Sequence, residues 1–332
     1  MYSYNWYQWL AFFYTYCFFG WCIESTYVSI RKKHFVNRGF LRLPMIPIYG
    51  SGAVIMLFVS IPVRHNLFLV FLFGMIAASA LEYVTGYVME RLFKMKYWDY
   101  SNNKFQLHGY ICLGTSIAWG FLSIALTELI HTPVERFLLS LNHSLLITLV
   151  VIVSVLFVAD TIQSVKAALD LGKMLETMTR LKQELEEIQN SLAELRTEAE
   201  QRAEELRNEA GQRAEDLIES AMERRDAALE HIGNLAEAAQ EAAEAARKRG
   251  EEEQEKLRMR LKALTAEREG LPTRLDFFKR SLVKGNPTAS SRKFDEALRE
   301  IKEYLDSKGK PHTGNGHIGN GHTGNGHSGY GR

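Results

Sequence analysis

Apolar and polar positions divide the chain near residue 160. Before that point, five apolar runs stand near 8–30, 45–63, 67–89, 109–130 and 138–159, each close to or beyond the ~20 residues a helix needs to cross a bilayer. After it, Leu171, Met178, Leu185, Leu192, Ala199 and Leu206 recur every seven residues, and Met174, Leu181, Ile188 and Leu195 fill a second apolar position. Such a repeat, with Glu, Lys and Arg between, predicts a coiled coil. The period then becomes eleven, with 197–207 echoed by 208–218, which straightens the helix expected to run on to about 249. Gly270-Leu271-Pro272 ends the rod. A Gly-Asn-Pro turn at 285–287 leads to a short helix, with Ser291 as its cap and Phe294, Leu298, Ile301 and Leu305 on one face. Gly-Asn-Gly-His repeats then place His312, His317, His322 and His327 five residues apart. A tail of that composition buries no apolar area and is expected to be disordered, with weak metal binding by its imidazoles as the alternative.

The expected fold is therefore all-α. A polytopic membrane helix bundle of five spans fills 1–160, a long cytoplasmic coiled-coil helix 161–268, a short helical segment 269–307 and a disordered tail 308–332.

Charge changes this picture by giving it a direction. The net charge of +1 conceals +4 in residues 1–160, −8 in 173–270 and +5 in 271–332. Within the apolar half, the connections 31–43, 90–108 and 161–180 hold twelve Lys and Arg, against two (Arg64 and Arg136) on the other side. That asymmetry predicts a multi-pass protein of the cell (inner or plasma) membrane, with its N-terminus outside and its C-terminus in the cytoplasm. The aromatic N-terminus lacks the basic region of a secretory signal, so the first run is expected to stay as a span. Cys17, Cys22 and Cys112 sit in apolar runs without metal-ligand spacing, which suits small buried hydrophobes.

Candidate chemistry gathers between Phe19 and Ala53 and again near Glu82. Glu24 precedes Arg31 by seven residues and Glu82 precedes Arg91 by nine, so both lie roughly 10–13 Å inside the basic boundary of two helices running the same way. Carboxylates at that depth are costly and mark functional sites by default. Three roles stay open: structural glue bonded to neighbouring helices, lining of a substrate or ion pathway, and a proton relay. Asn37, Arg38, Tyr49 and Asp99 are their candidate neighbours, and Glu90 lies at the boundary itself. Pro44 and Pro47 delay the second helix until after Pro47. They either start that helix at the interface or mark a broken span of the kind that lines binding sites. A faint repeat relates the Glu24 and Glu82 segments, each followed by a basic, aromatic connection.

Several separated strings carry a resemblance. Phe19-Gly20-Trp21 with Glu24, Asn37-Arg38-Gly39-Phe40-Leu41, Pro47-Ile48-Tyr49-Gly50, Leu81-Glu82-Tyr83-Val84-Thr85-Gly86, Trp98-Asp99-Tyr100-Ser101 and Trp119-Gly120 resemble the putative ABC-transporter type IV family over about residues 8–160. The resemblance implies a bacterial multi-span membrane protein of the kind labelled a transporter permease, with no settled substrate. The chain has no G-x-x-x-x-G-K-[ST] string, so an ATPase in such a system is expected to be a separate subunit. No zinc-protease, nucleophile-elbow or paired-Asp motif is present, and no enzyme activity, metal, cofactor or nucleic-acid partner is expected. The lipid bilayer and a second copy joined through the coiled coil are the expected partners. The rival reading is a non-transporting anchor or scaffold that works through that coiled coil.

Overall fold

The computed structural model describes residues 4–221 and 225–307. The Gly/Asn/His stretch, with its four evenly spaced histidines, lies outside the described residues. Most of the described chain is helical; among the described residues the strands form a two-residue antiparallel hairpin, β1 (Gln106–Leu107) with β2 (Ile111–Cys112).

Helices α1 (Trp6–Lys32) and α3 (Leu67–Phe93) are each 27 residues long. Both stop the same way, with a lysine in the left-handed region: Lys33 at φ 57° and Lys94 at φ 64°. Each donates its N–H back into the last turn, to the Ile30 and Glu90 carbonyls.

The chain between Lys33 and α2 (Pro47–Ser60) has no helix of its own. It turns back along α1. Val36 N–H donates to Ser29 Oγ at 2.9 Å, Arg38 N–H to Ser25 Oγ at 3.1 Å and Ile46 N–H to the Cys17 carbonyl at 3.0 Å. These partners span twelve residues of α1, roughly 18 Å of helix. Non-helical backbone among apolar helices persists only when protein supplies its partners. Here α1 supplies them on one side and Asp160, accepting the Arg42 and Leu43 N–H groups at 2.9 Å, on the other. Pro47 then opens α2 at its first position, where its fixed φ suits the helix and no donor is lost.

Helix α4 (Leu113–Ala125) passes through a π-turn at Leu126–Ile130 into α5 (His131–Ser140). Among the described residues, three stretches are long and apolar enough to cross a membrane: Leu67–Phe93, Leu113–Ser140 and the helix that begins at His143. The fourth run is thus longer than the expected 109–130. The apolar Pro47–Val63 stretch is shorter, and α1 is not among the three. Seven of its 27 residues are Tyr or Trp, which lowers its hydropathy. Both still pack in the same bundle. Phe12, Tyr16, Met56, Leu57, Ala78, Leu126 and Val150 share one buried cluster.

The last apolar run and the rod are a single helix, α6 (His143–Ala221), 79 residues long. Helix α7 (Arg225–Gly270) returns beside it. A single 3-10 turn then leads to α8 (Phe277–Gly285) and α9 (Asp295–Ser307). The Ser291 hydroxyl accepts the Phe294 N–H at 3.1 Å, holding the start of α9. Phe294, Leu298, Ile301 and Leu305 are all buried, in one cluster with Leu171, Leu175, Met178 and Leu181 of α6 and with Phe93, Met95 and Tyr97 of the bundle. The heptad seam over residues 171–188 is therefore covered by this chain's own C-terminal lobe and α7. Beyond it, Leu206 is 51% exposed.

Leu175 is fully buried in that shared cluster. Leu175→Ala is expected to destabilise the detergent-solubilised protein by about 2–5 kcal/mol, and Leu206→Ala by no more than about 0.5 kcal/mol, read as thermal unfolding midpoints.

Candidate functional site

A partly open cavity of about 510 Å³ lies between α1, α2, α3 and α4. Its walls are mainly apolar and aromatic, and Glu24, Arg38 and Glu82 break them. The helices approach closely because of paired small residues. Gly20 of α1 lies under the Tyr49 ring, and Gly50 of α2 lies against Cys17 and the Phe13 carbonyl, so neither position has room for a side chain.

Each carboxylate is given donors by elements far away in sequence. Tyr49 Oη donates to Glu24 Oε1 at 2.7 Å, and Arg38 Nε stands 3.6 Å from Glu24 Oε2. Tyr100 Oη donates to Glu82 Oε1 at 3.1 Å, and Trp119 Nε1 to Glu82 Oε2 at 2.9 Å. The two sites differ in charge. Glu24 has a cationic partner; among the described residues Glu82, only 5% exposed, accepts from two neutral donors and forms no ion pair.

Of the residues picked from the sequence, Glu24, Arg38, Tyr49 and Glu82 line this cavity. Asn37, Glu90 and Asp99 do not. Asn37 accepts the Trp21 indole N–H at 2.6 Å and donates to the Arg42 carbonyl, fixing the returning loop to α1. Glu90 accepts Tyr110 Oη at 2.5 Å and faces Arg292 at 3.8 Å. Burial, with the Glu90 carboxylate beside it, pushes the Tyr110 phenol up to about 12. Asp99 anchors the loop after α3. Against a burial penalty that raises its pKa, Ser101 and the Lys96 ammonium hold it below the usual carboxylate range. It also accepts the Ser290 hydroxyl at 3.2 Å.

Tyr100 and Trp119 were not picked as partners for Glu82. Both belong to the family-like strings, but the aromatic group to which Tyr100 belongs reads equally well as an interface belt. Asn286 was not picked at all, although it reaches the cavity wall from the C-terminal lobe. Among the described residues no group of three His, Cys, Asp or Glu stands close enough to hold a metal ion.

Removing one donor tests how the acid is held. Trp119→Phe is expected to cost about 1–3 kcal/mol of stability by leaving a buried carboxylate short of a partner. The same change made on Glu82→Leu is expected to cost much less. A double-mutant cycle of thermal midpoints reads the difference.

Comparison with known proteins agrees with the strings in the sequence. No curated protein and no solved structure matches the chain. One family model does, over residues 11–165, which takes in α1 to α5, the start of α6 and both carboxylate sites. That apolar half matches the model of the family described as putative ABC-transporter type IV.

Proposed function

We propose that this protein is the membrane component of a transporter and that the cavity between α1 and α4 receives its solute. The observation that carries this reading is the placement of both internal carboxylates, with Arg38 and Tyr49, on the wall of one cavity of about 510 Å³. With Glu24 matched by Arg38, an ionised Glu82 leaves the site one negative charge in excess, amid Tyr49, Tyr100 and Trp119 rings. That combination suits a small amphipathic solute with one positive charge, since aromatic faces attract cations and apolar walls take the remainder.

The wider arrangement we infer is five spans in the cell (inner or plasma) membrane. Helices α1 and α2 join the three more apolar stretches, and the twelve-to-two Lys/Arg bias favours a cytoplasmic C-terminal rod. A separate ATPase subunit would supply energy. The rival reading, an anchor or scaffold, finds its support in the far part of the α6–α7 hairpin. There Leu206 and the other described side chains within 196–249 are exposed and free to meet a partner. Association of two copies would use that part, because the 171–188 seam is already covered.

Uptake or efflux of a fluorescent lipophilic cation by cells expressing the protein separates the two readings. Transport through the cavity predicts that Glu82→Gln abolishes the flux while the protein still inserts. It also predicts that replacing residues 196–260 with a short linker leaves the flux intact. A scaffold predicts that the linker variant loses activity and Glu82→Gln does not.

A further inference from the structure

The cavity wall contains one residue from far outside the bundle. Asn286 sits in the connection between α8 and α9, 247 positions beyond Gly39, and is 2% exposed. Its amide nitrogen donates to the Gly39 carbonyl at 3.0 Å and to the Leu282 carbonyl at 2.9 Å. Arg38 donates to its side-chain oxygen at 3.1 Å, to the Gly285 carbonyl at 3.2 Å and to the Thr288 hydroxyl at 3.2 Å. On the far rim, Ser290 and Lys96 exchange both backbone hydrogen bonds, at 2.7 and 2.9 Å, and Ser291 Oγ donates to the Lys94 carbonyl at 2.6 Å. The segment 285–291 thus bridges the two loops that frame the mouth of the cavity on its Lys/Arg-rich face.

We propose that residues 285–291 are a tethered plug that closes this mouth, and that they withdraw when the cavity opens to that side. Three features favour a removable cover over a fixed brace. First, the plug is a turn between helices. Its neighbours α8 and α9 keep apolar contacts with α6, so the turn can move without unfolding the lobe. Second, apart from Ala289, which joins the shared apolar cluster, its rim contacts are hydrogen bonds of backbone, hydroxyl, amide and guanidinium groups, which water replaces at small net cost. Third, Arg38 is shared: the guanidinium that grips the plug also faces Glu24 at 3.6 Å. A solute that competes for Glu24 therefore changes the grip on the plug, and departure of the plug alters the charge facing the cavity. The two events are linked in both directions, as any coupling free energy must be.

The plug is testable without knowing the solute, and its failure is separable from failure of the transport reading. Cys22 lines the cavity and is half-buried, whereas Cys17 and Cys112 are buried. The readout is modification of Cys22 by a charged, membrane-impermeant maleimide, applied to the full-length protein in membrane vesicles that expose the C-terminal face and quantified by peptide mass. Gly285 has no room for a side chain, since a Cβ there would stand 2.7 Å from the Asn37 carbonyl oxygen. Gly285→Val should therefore push the plug off the rim. Labelling of Cys22 is expected to be slow in the parent protein and about tenfold faster in Gly285→Val and in Asn286→Ala, on the scale of one lost contact of this kind. Cys17 and Cys112 should stay unlabelled, which excludes general unfolding. A second variant covers the case in which these do not fold. Lys96 and Ser290 form a hydrogen-bonded antiparallel pair, whose Cα separation of about 5.5 Å lies within the range in which K96C/S290C can form a disulfide. Its oxidised form should label at Cys22 more slowly than its reduced form. Equal Cys22 labelling in the parent and both loosened variants, or in the oxidised and reduced pair, overturns the plug. Either result leaves the cation-flux experiment to decide transport on its own.

Discussion

An acid among apolar helices has to be given donors, and the helix that carries it has none to spare. That constraint organises the bundle. Glu24 draws α2 to α1 through Tyr49 and draws the returning loop through Arg38; Glu82 draws α4 to α3 through Trp119 and the following loop through Tyr100. Each acid therefore ties its own helix to the next helix and to the connection between them. The two units are built alike, with 27-residue helices ended by left-handed lysines, although only a few residues of the sequence show the likeness. The charge balance differs between them. A guanidinium stands beside one carboxylate and only neutral donors beside the other, which gives the cavity its polarity.

Much of this was legible in advance, and the reasons differ by residue. Glu24 and Glu82 stand out because a carboxylate within a lipid-length apolar run has few innocent explanations. Pro47 marks its helix start because proline lacks the N–H that a helix interior needs. Ser291 and the Phe294, Leu298, Ile301 and Leu305 stripe are local signals of a capped, one-faced helix. What stayed hidden were partners chosen across distance. A heptad seam looks the same whether a second copy or the chain's own returning segment covers it. A Gly-Asn-Pro turn looks like any other turn until Asn286 is seen against Gly39. The backbone path of residues 36–46 was also beyond pattern reading. Its bonds go to two serine hydroxyls and one carbonyl that α1 would hold in any case, and to Asp160 of α6.

The rod and the lobe belong to the bundle's architecture. Helix α6 leaves the apolar region without a break, and α7 brings the chain back to its base. Leu171 and Leu175 then serve two neighbours at once, the bundle's Phe93–Tyr97 loop and the helices of the lobe. A stripe that reads as an oligomer seam packs in this chain against the lobe that carries residues 285–291.

The order of synthesis gives that return path a further meaning. Every helix around the cavity is made before residue 141, whereas the turn that covers it comes more than 140 residues later. Every helix that lines the chamber is therefore synthesised well before residues 285–291. A chain cut short in the rod would carry all of those helices and lack Asn286, which the lobe adds to the wall.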